Sequence, residues 1–243
     1  MSRLEANGRW VDVDGMDNVR DLGGLPLRTG GVTRSGQILR GARLAELTES
    51  GTELLAEKYG IRLVIDLRSP REVDRDGPTP LERAGVRTEH LSVLPEGQRP
   101  VPREDEDPKL FAYRGYLNHR PENVLAALRL LADPENGPTV VHCAAGKDRT
   151  GVICALVQEV AGVERDAVVD DYALSNERLP QILRRLAVVE PGIDVDNPEL
   201  YLCPPSVMAA LMAELDAHGS PATWLKSRGL TDQELTTLRT RLT

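Results

Sequence analysis

The stretch Val140-Val141-His142-Cys143-Ala144-Ala145-Gly146-Lys147-Asp148-Arg149-Thr150-Gly151 constrains this chain more than any other. Pro138-Thr139 opens a β-branched run into it, and Val152-Ile153-Cys154-Ala155-Leu156-Val157 leaves it as an apolar segment of helical length. Strand, loop and helix in that order turn the N–H groups of the loop and of the first helical turn towards one point. Unpaired donors and the positive end of the helix dipole favour an anion there. Phosphate is the natural occupant, and an α/β architecture is the natural frame for such a loop.

Cys143 opens the loop and Arg149 closes it. A thiol is the best side-chain nucleophile once ionised, and convergent N–H donors at a helix start favour the ionised form. The planar guanidinium of Arg149 can grip two phosphoryl oxygens, which an ammonium cannot. The Thr150 hydroxyl, next in sequence, is placed to donate to the sulfur when water cleaves a phosphocysteine. A nucleotide-binding loop is excluded: that motif needs Gly where Val141 stands and Ser or Thr where Asp148 stands.

The string resembles the signature of the cysteine-based protein tyrosine phosphatase superfamily. Its Gly-Lys-Asp-Arg-Thr form is similar to that of a bacterial branch known for accepting phosphotyrosine, phosphoserine or phosphothreonine, and phosphoinositides. Three further segments resemble that branch: Asn18-Val19-Arg20-Asp21-Leu22-Gly23-Gly24, Asp66-Leu67-Arg68-Ser69-Pro70-Arg71-Glu72-Val73, and Asp171-Tyr172-Ala173-Leu174-Ser175-Asn176. The resemblance implies Cys143 as nucleophile, with Ala144, Ala145, Gly146, Lys147, Asp148 and Arg149 binding phosphate. It implies that Arg20 lies near the loop. Many relatives carry a catalytic acid in a mobile Trp-Pro-Asp loop, and that tripeptide is absent here. Asp148, inside the signature, is the leading alternative for general acid, with Glu96 as fallback; the competing role for Asp148 is to brace the loop as an ionised carboxylate.

Composition narrows the class. Aromatic residues make up 3% of the chain, so its core must be built from Leu, Val, Ile and Ala, which favours helices on a small sheet. A net charge of −8 gives no support to non-specific nucleic-acid binding. Cys143, Cys154 and Cys203 form no metal-type spacing and fit a reducing compartment. No apolar run reaches membrane-spanning length, and the polar N-terminus is unlike a signal peptide, so the chain reads as cytoplasmic, with signal-less secretion left open.

Along the chain, Gln37–Arg40, Ile61–Leu67 and Val86–Leu94 read as strands. Thr48 begins a helix that Gly60 closes. Asp66 and Arg68, at the end of the best strand, either add charge to the pocket or pair as surface ions. Residues 95–109, with four prolines and the acidic run Glu104-Asp105-Glu106-Asp107, read as an exposed loop. Phe111 to Leu131 is helical with a break near Pro121, and Arg165 to Leu174 is a helix on which Asp171 reads as a surface charge, the resemblance offering instead a role in ordering a pocket water or Arg149.

The expectation is one α/β domain over residues 1–243: a mostly parallel sheet of about four or five strands flanked by helices, with helices in 206–242 as a candidate lid. Its expected reaction is phosphomonoester hydrolysis through a phosphocysteine, with no metal or cofactor. The partner is a phosphorylated protein or a phosphoinositide, and oligomeric state is not legible. A sulfurtransferase with a Cys-centred loop and a non-catalytic phosphate-binding module are the readings from other classes.

Overall fold

The chain folds around one short central strand. In the computed structural model, which describes residues 8–95, 97 and 100–243, five strands form one sheet: β1 (Arg20–Asp21), β2 (Ile38–Gly41), β3 (Leu63–Asp66), β4 (Arg87–His90) and β5 (Thr139–His142). Their order is β1-β2-β5-β3-β4, parallel except for the antiparallel edge pair β1-β2. β5 therefore has a parallel neighbour on each side. Leu63, Val64, Ile65, Val140 and Val141 are wholly buried, as expected of strands covered on both faces. Register places Gly41, His142 and Asp66 in one row at the C-terminal ends of β2, β5 and β3, and the signature loop rises from the middle of that edge.

Local chemistry sets the helices. Thr48 caps α1 (Glu49–Glu53), which runs on as a π-turn over Leu54–Lys58 before Gly60 leaves it with φ of 62°. α2 (Pro70–Asp76) and α3 (Pro80–Arg83) start in reciprocal capping boxes, Ser69 with Glu72 and Thr79 with Glu82. Asp107, the last of the acidic run, accepts from the N–H groups of Lys109 and Leu110 and starts α4 (Pro108–His119). α5 (Pro121–Ala132) follows after the break at Pro121.

α6 (Asp148–Ala161) carries the signature into the core, and every residue from Thr150 to Ala161 is buried. α7 (Arg165–Ala173), α8 (Leu179–Val189), α9 (Pro205–Asp216), α10 (Pro221–Ser227) and α11 (Asp232–Leu242) complete the chain. α10 and α11 pack against α6, α11 also against α5, and α9 against α4 and α7. The other face of the sheet is covered by Leu55, Leu47, Val13 and Met16.

The expected strand Val86–Leu94 is only Arg87–His90. β3 ends at Asp66, whose carbonyl takes the Leu91 N–H, and among the described residues no strand extends further for residues 92–94 to pair with. The C-terminal helices of the 206–242 region pack on the core.

Arg241 of α11 ties the C-terminal helix to the sheet. Its buried guanidinium donates to the carbonyls of Leu131, Gly137 and Gln37 and to the Thr139 hydroxyl, and burial pulls its pKa down. Arg241→Met removes the donors that join these acceptors to α11 and leaves the Leu131 carbonyl without its Arg241 bond. We expect it to cost about 2–4 kcal/mol in urea unfolding, against under about 0.5 kcal/mol for the exposed Arg184→Met.

Candidate active site

The signature loop is held from outside by its carbonyls. Ala144 O accepts from the Arg43 N–H at 3.1 Å. The Asn18 amide donates to Ala145 O at 3.0 Å and to Gly146 O at 3.1 Å. Arg40 donates to Gly146 O at 3.0 Å and to Lys147 O at 3.4 Å. A trans peptide points its N–H opposite to its carbonyl, so carbonyls drawn outward turn the following N–H groups inward. The start of α6 adds to this: Lys147 stands at the N-cap position, and no side chain caps the helix. The product is a cradle of donors at the positive end of a buried helix.

Close approach demands glycine at Gly146. Its φ is 66°, and a Cβ there would lie 2.3 Å from the backbone carbonyl carbon and oxygen of Gly41. Loop and β2 edge touch backbone to backbone.

Beneath the loop sits Asp171 of α7, wholly buried. Its carboxylate meets Arg40 at 2.7 Å, Arg20 at 3.2 Å, Arg9, and the Gln158 amide at 3.0 Å. Arg20 passes the contact on, donating to Asn18 Oδ1 at 2.6 Å. Asn18, whose φ of 58° is unusual for a residue with a side chain, then reaches the loop. Asp171 is no surface charge. Burial alone would lift its carboxyl, but Arg20, Arg9 and Arg40 hold it well below the ordinary range. Burial, the charge of Arg40 and other neighbours bring Arg20 down to about 10, still charged at neutral pH.

Arg149 is presented by a carboxylate on α2. Its two terminal nitrogens donate to Glu72 at 2.7 and 2.8 Å, a bidentate pair that fixes the plane of the guanidinium. Glu72 also accepts from the Ser69 N–H and hydroxyl, so one carboxylate caps α2 and orients Arg149. Burial would raise Glu72; the Arg149 hydrogen bonds and charge bring it down to about 2. Cys143 beside Arg149 helps raise the guanidinium above its ordinary value, against burial.

The cavity over the loop measures about 180 Å³. Cys143, Ala144, Ala145, Lys147, Asp148 and Arg149 form its floor, and Tyr116, Ile182, Leu183, Leu186 and Tyr201 form its walls. The walls thus come from α4, α8 and Tyr201, and no residue of 206–242 lines the cavity among the described residues. A larger hollow, about 340 Å³, lies along residues 10–19 beside Arg178 and Gln181, with neither nucleophile nor anion cradle.

The remaining expected residues separate. Lys147 is almost buried, donates to Tyr201 O and lies 3.8 Å from Asp148. The Thr150 hydroxyl is buried without a hydrogen-bond partner among the described residues. Asp66 and Arg68 are wholly buried and paired at 2.7 Å, with Arg68 also on Asp76 at 2.7 Å, so neither lines the cavity. Asp66 is held far below the ordinary range because His142, His90 and Arg68 outweigh the effect of burial. Glu96 lies outside the described residues.

Asp148 is partly exposed at the cavity floor. Burial pushes its carboxyl up, but Lys147, the Tyr113 hydroxyl, Lys109 and Arg149 outweigh it and hold the group below the ordinary carboxylate range.

Sequence reading missed Asn18, Arg40, Glu72 and Tyr113 as builders of this site. Asn18 and Glu72 stand in segments that resemble the family, but nothing local to either segment gives it a role in holding the loop or Arg149.

Comparison with known proteins fits this geometry. A model described as the tyrosine phosphatase family matches residues 11–243. The triple specificity protein phosphatase PtpB of Mycobacterium tuberculosis is 31% identical over 218 residues, covering 77% of this chain and 74% of that protein. A tyrosine-protein phosphatase of Nostoc commune is 30% identical over 226 residues, covering 84% of this chain and 73% of that one. The core catalytic domain of the PP-IP phosphatase SIW14 from S. cerevisiae superposes with a TM-score of 0.41 at 16% identity, covering 84% of this chain and 96% of that chain.

Asp171→Asn would leave the buried guanidinium groups undercompensated. The expected cost is about 3–5 kcal/mol, read by denaturant unfolding. Because the folded pKa is depressed, the wild-type contribution is complete above about pH 4 and is lost as pH falls towards the folded value. The stability gap between wild type and Asp171→Asn should therefore narrow only in acid.

Proposed function

The chain belongs to the tyrosine phosphatase family, and within that family we propose that it hydrolyses phosphotyrosine esters in two steps, with Cys143 as nucleophile. The observation that carries this reading is a single cavity floor uniting Cys143, Asp148 and Arg149 with an outward-tied carbonyl loop.

In the first step the Cys143 thiolate attacks phosphorus as the P–O bond to the leaving group breaks. Arg149 and the loop N–H groups, pre-aimed by Glu72, Asn18 and Arg40, bind the equatorial oxygens and stabilise their spread charge. Asp148 gives its proton to the departing oxygen. In the second step the Asp148 carboxylate takes a proton from water, water oxygen attacks phosphorus, and the S–P bond breaks to release orthophosphate and the thiolate. Thr150, with its unpaired hydroxyl, donates to the departing sulfur. These residues supply the positive charge that the transfer needs.

The free enzyme holds Asp148 as a carboxylate, whereas the first step uses its acid form. A phosphate dianion in the cradle is the added negative charge that favours the acid form again. For an ester with a poor leaving group, kcat/KM should therefore fall as pH rises through the acid and neutral range, and Asp148→Asn should remove that dependence.

The walls favour an aryl ester. Tyr116, Tyr201, Ile182, Leu183 and Leu186 offer apolar and ring contact above the phosphate. A phosphoinositide is the second reading, favoured by Lys147 at the floor and by a 33% identity over 57 residues to the Arabidopsis thaliana protein named inositol diphosphatase DSP4, which covers 24% of this chain. Lys147 is already engaged by Tyr201 O, which leaves it a weaker case. A free Cys143 thiol suits a reducing compartment.

Turnover of a small aryl phosphate with chelator present checks the mechanism. Wild type should be active, Cys143→Ser should lose about 10³-fold or more, and Arg149→Lys about 10²-fold or more, mainly in kcat. Activity surviving in Cys143→Ser would remove the nucleophile assignment. A phosphotyrosine peptide should be a better substrate by kcat/KM than a phosphoinositide; the reverse order would favour the second reading.

A further inference from the structure

A chain of hydroxyl groups runs through the core and ends on Asp148. Tyr113 of α4 and Tyr172 of α7 are each 1% exposed. Their hydroxyl oxygens are 2.6 Å apart, and the Tyr113 hydroxyl donates to Oδ1 of Asp148 at 2.5 Å. The rings meet edge to face, with centroids 6.0 Å apart, so ring packing fixes the pair independently of the hydrogen bonds. Cys203, itself wholly buried, lies near Tyr172.

Direction follows from counting protons. A phenol has one proton to donate. Tyr113 gives its proton to the carboxylate, so the proton between the two phenols belongs to Tyr172 and points towards Asp148. Burial, together with the charge of Asp148 and the neighbouring phenol, raises Tyr113 far above the ordinary phenol range. Burial and the nearby Cys203 and Asp148 do the same for Tyr172, so both stay protonated. Oδ1 of Asp148 is therefore occupied. Oδ2, 3.8 Å from the Lys147 ammonium, is the oxygen left for a transferable proton.

We propose that Tyr113, backed by Tyr172, is the positioning residue of the general acid: it holds Asp148 by Oδ1 so that Oδ2 carries the proton to the leaving group and takes it back from water. This rests on Asp148 being the general acid. The other groups facing Asp148 are Lys147 in the loop, Arg149 on α6, Lys109 on α4 and Cys203 after α8. The cations among them hold the carboxyl low whether or not Tyr113 is present. Removal of Tyr113's donor should thus move the acid's titration upward without abolishing it, and should free the carboxyl to turn.

The test compares phenyl phosphate, a poor leaving group, with 2,4-dinitrophenyl phosphate, a good one. Proteins are wild type, Tyr113→Phe, Tyr172→Phe, Asp148→Asn and the double variant Asp148→Asn with Tyr113→Phe, over a pH series. Tyr113→Phe should lose about tenfold in kcat on phenyl phosphate with KM little changed, lose distinctly less on the dinitrophenyl ester, and shift the high-pH limb upward by a measurable fraction of a pH unit. Tyr172→Phe should do the same more weakly, and it decides the matter if Tyr113→Phe fails to fold. In the Asp148→Asn background, Tyr113→Phe should add almost nothing. Equal losses on both esters with an unmoved limb would overturn the tyrosine's role alone. If Asp148→Asn stays as indifferent to the leaving group as wild type, the acid assignment itself falls, and the tyrosine's role with it.

Discussion

The Asp171 carboxylate is the contact on which the site depends. It gathers the buried Arg9, Arg20 and Arg40, whose guanidinium groups would be costly to leave unpaired there. Arg40 and, through Arg20, Asn18 then reach the loop carbonyls. One buried anion thus fixes which way several peptide groups point. Three cations around one carboxylate also leave positive charge beneath the cradle, acting through protein instead of water and adding to the pull of the α6 amino end on a phosphate. Planar guanidinium groups are suited to this because each can face the carboxylate and a carbonyl at once.

A second anion, Glu72, does for Arg149 what Asp171 does for the loop. It belongs to α2 by its capping box and to the cavity by its bidentate bond to Arg149. The start of α2 and the cradle are therefore joined through one carboxylate. Nearby, Asp66, Arg68, Asp76 and Arg43 form a separate buried ion network behind the sheet edge. The charges around the cradle divide into those that face substrate and those that only hold the others, and charge type alone does not tell which is which. Tyr113 and Tyr172 add a neutral version of the same device, donors that aim Asp148 without competing for the anion.

The sequence by itself determined the strand, loop and helix of the signature, because Cys143, the cradle of N–H donors and Arg149 lie in one unbroken run whose geometry is local. It also determined the α/β class, the break at Pro121 and the end of the first helix at Gly60, since apolar periodicity and backbone-restricted residues act over a few positions. Tertiary structure decided everything that joins distant segments. Asp171 looks like a surface charge on a nine-residue helix until β1 and β2 bring arginines to it. Arg68 could have served the pocket until Asp66 and Asp76 enclosed it. The walls of the cavity come from α4, α8 and Tyr201, while α9, α10 and α11 bury their apolar residues in the core. A carboxylate or a phenol carries no mark of its partner in the chain; burial and the few ångströms between side chains assign it one.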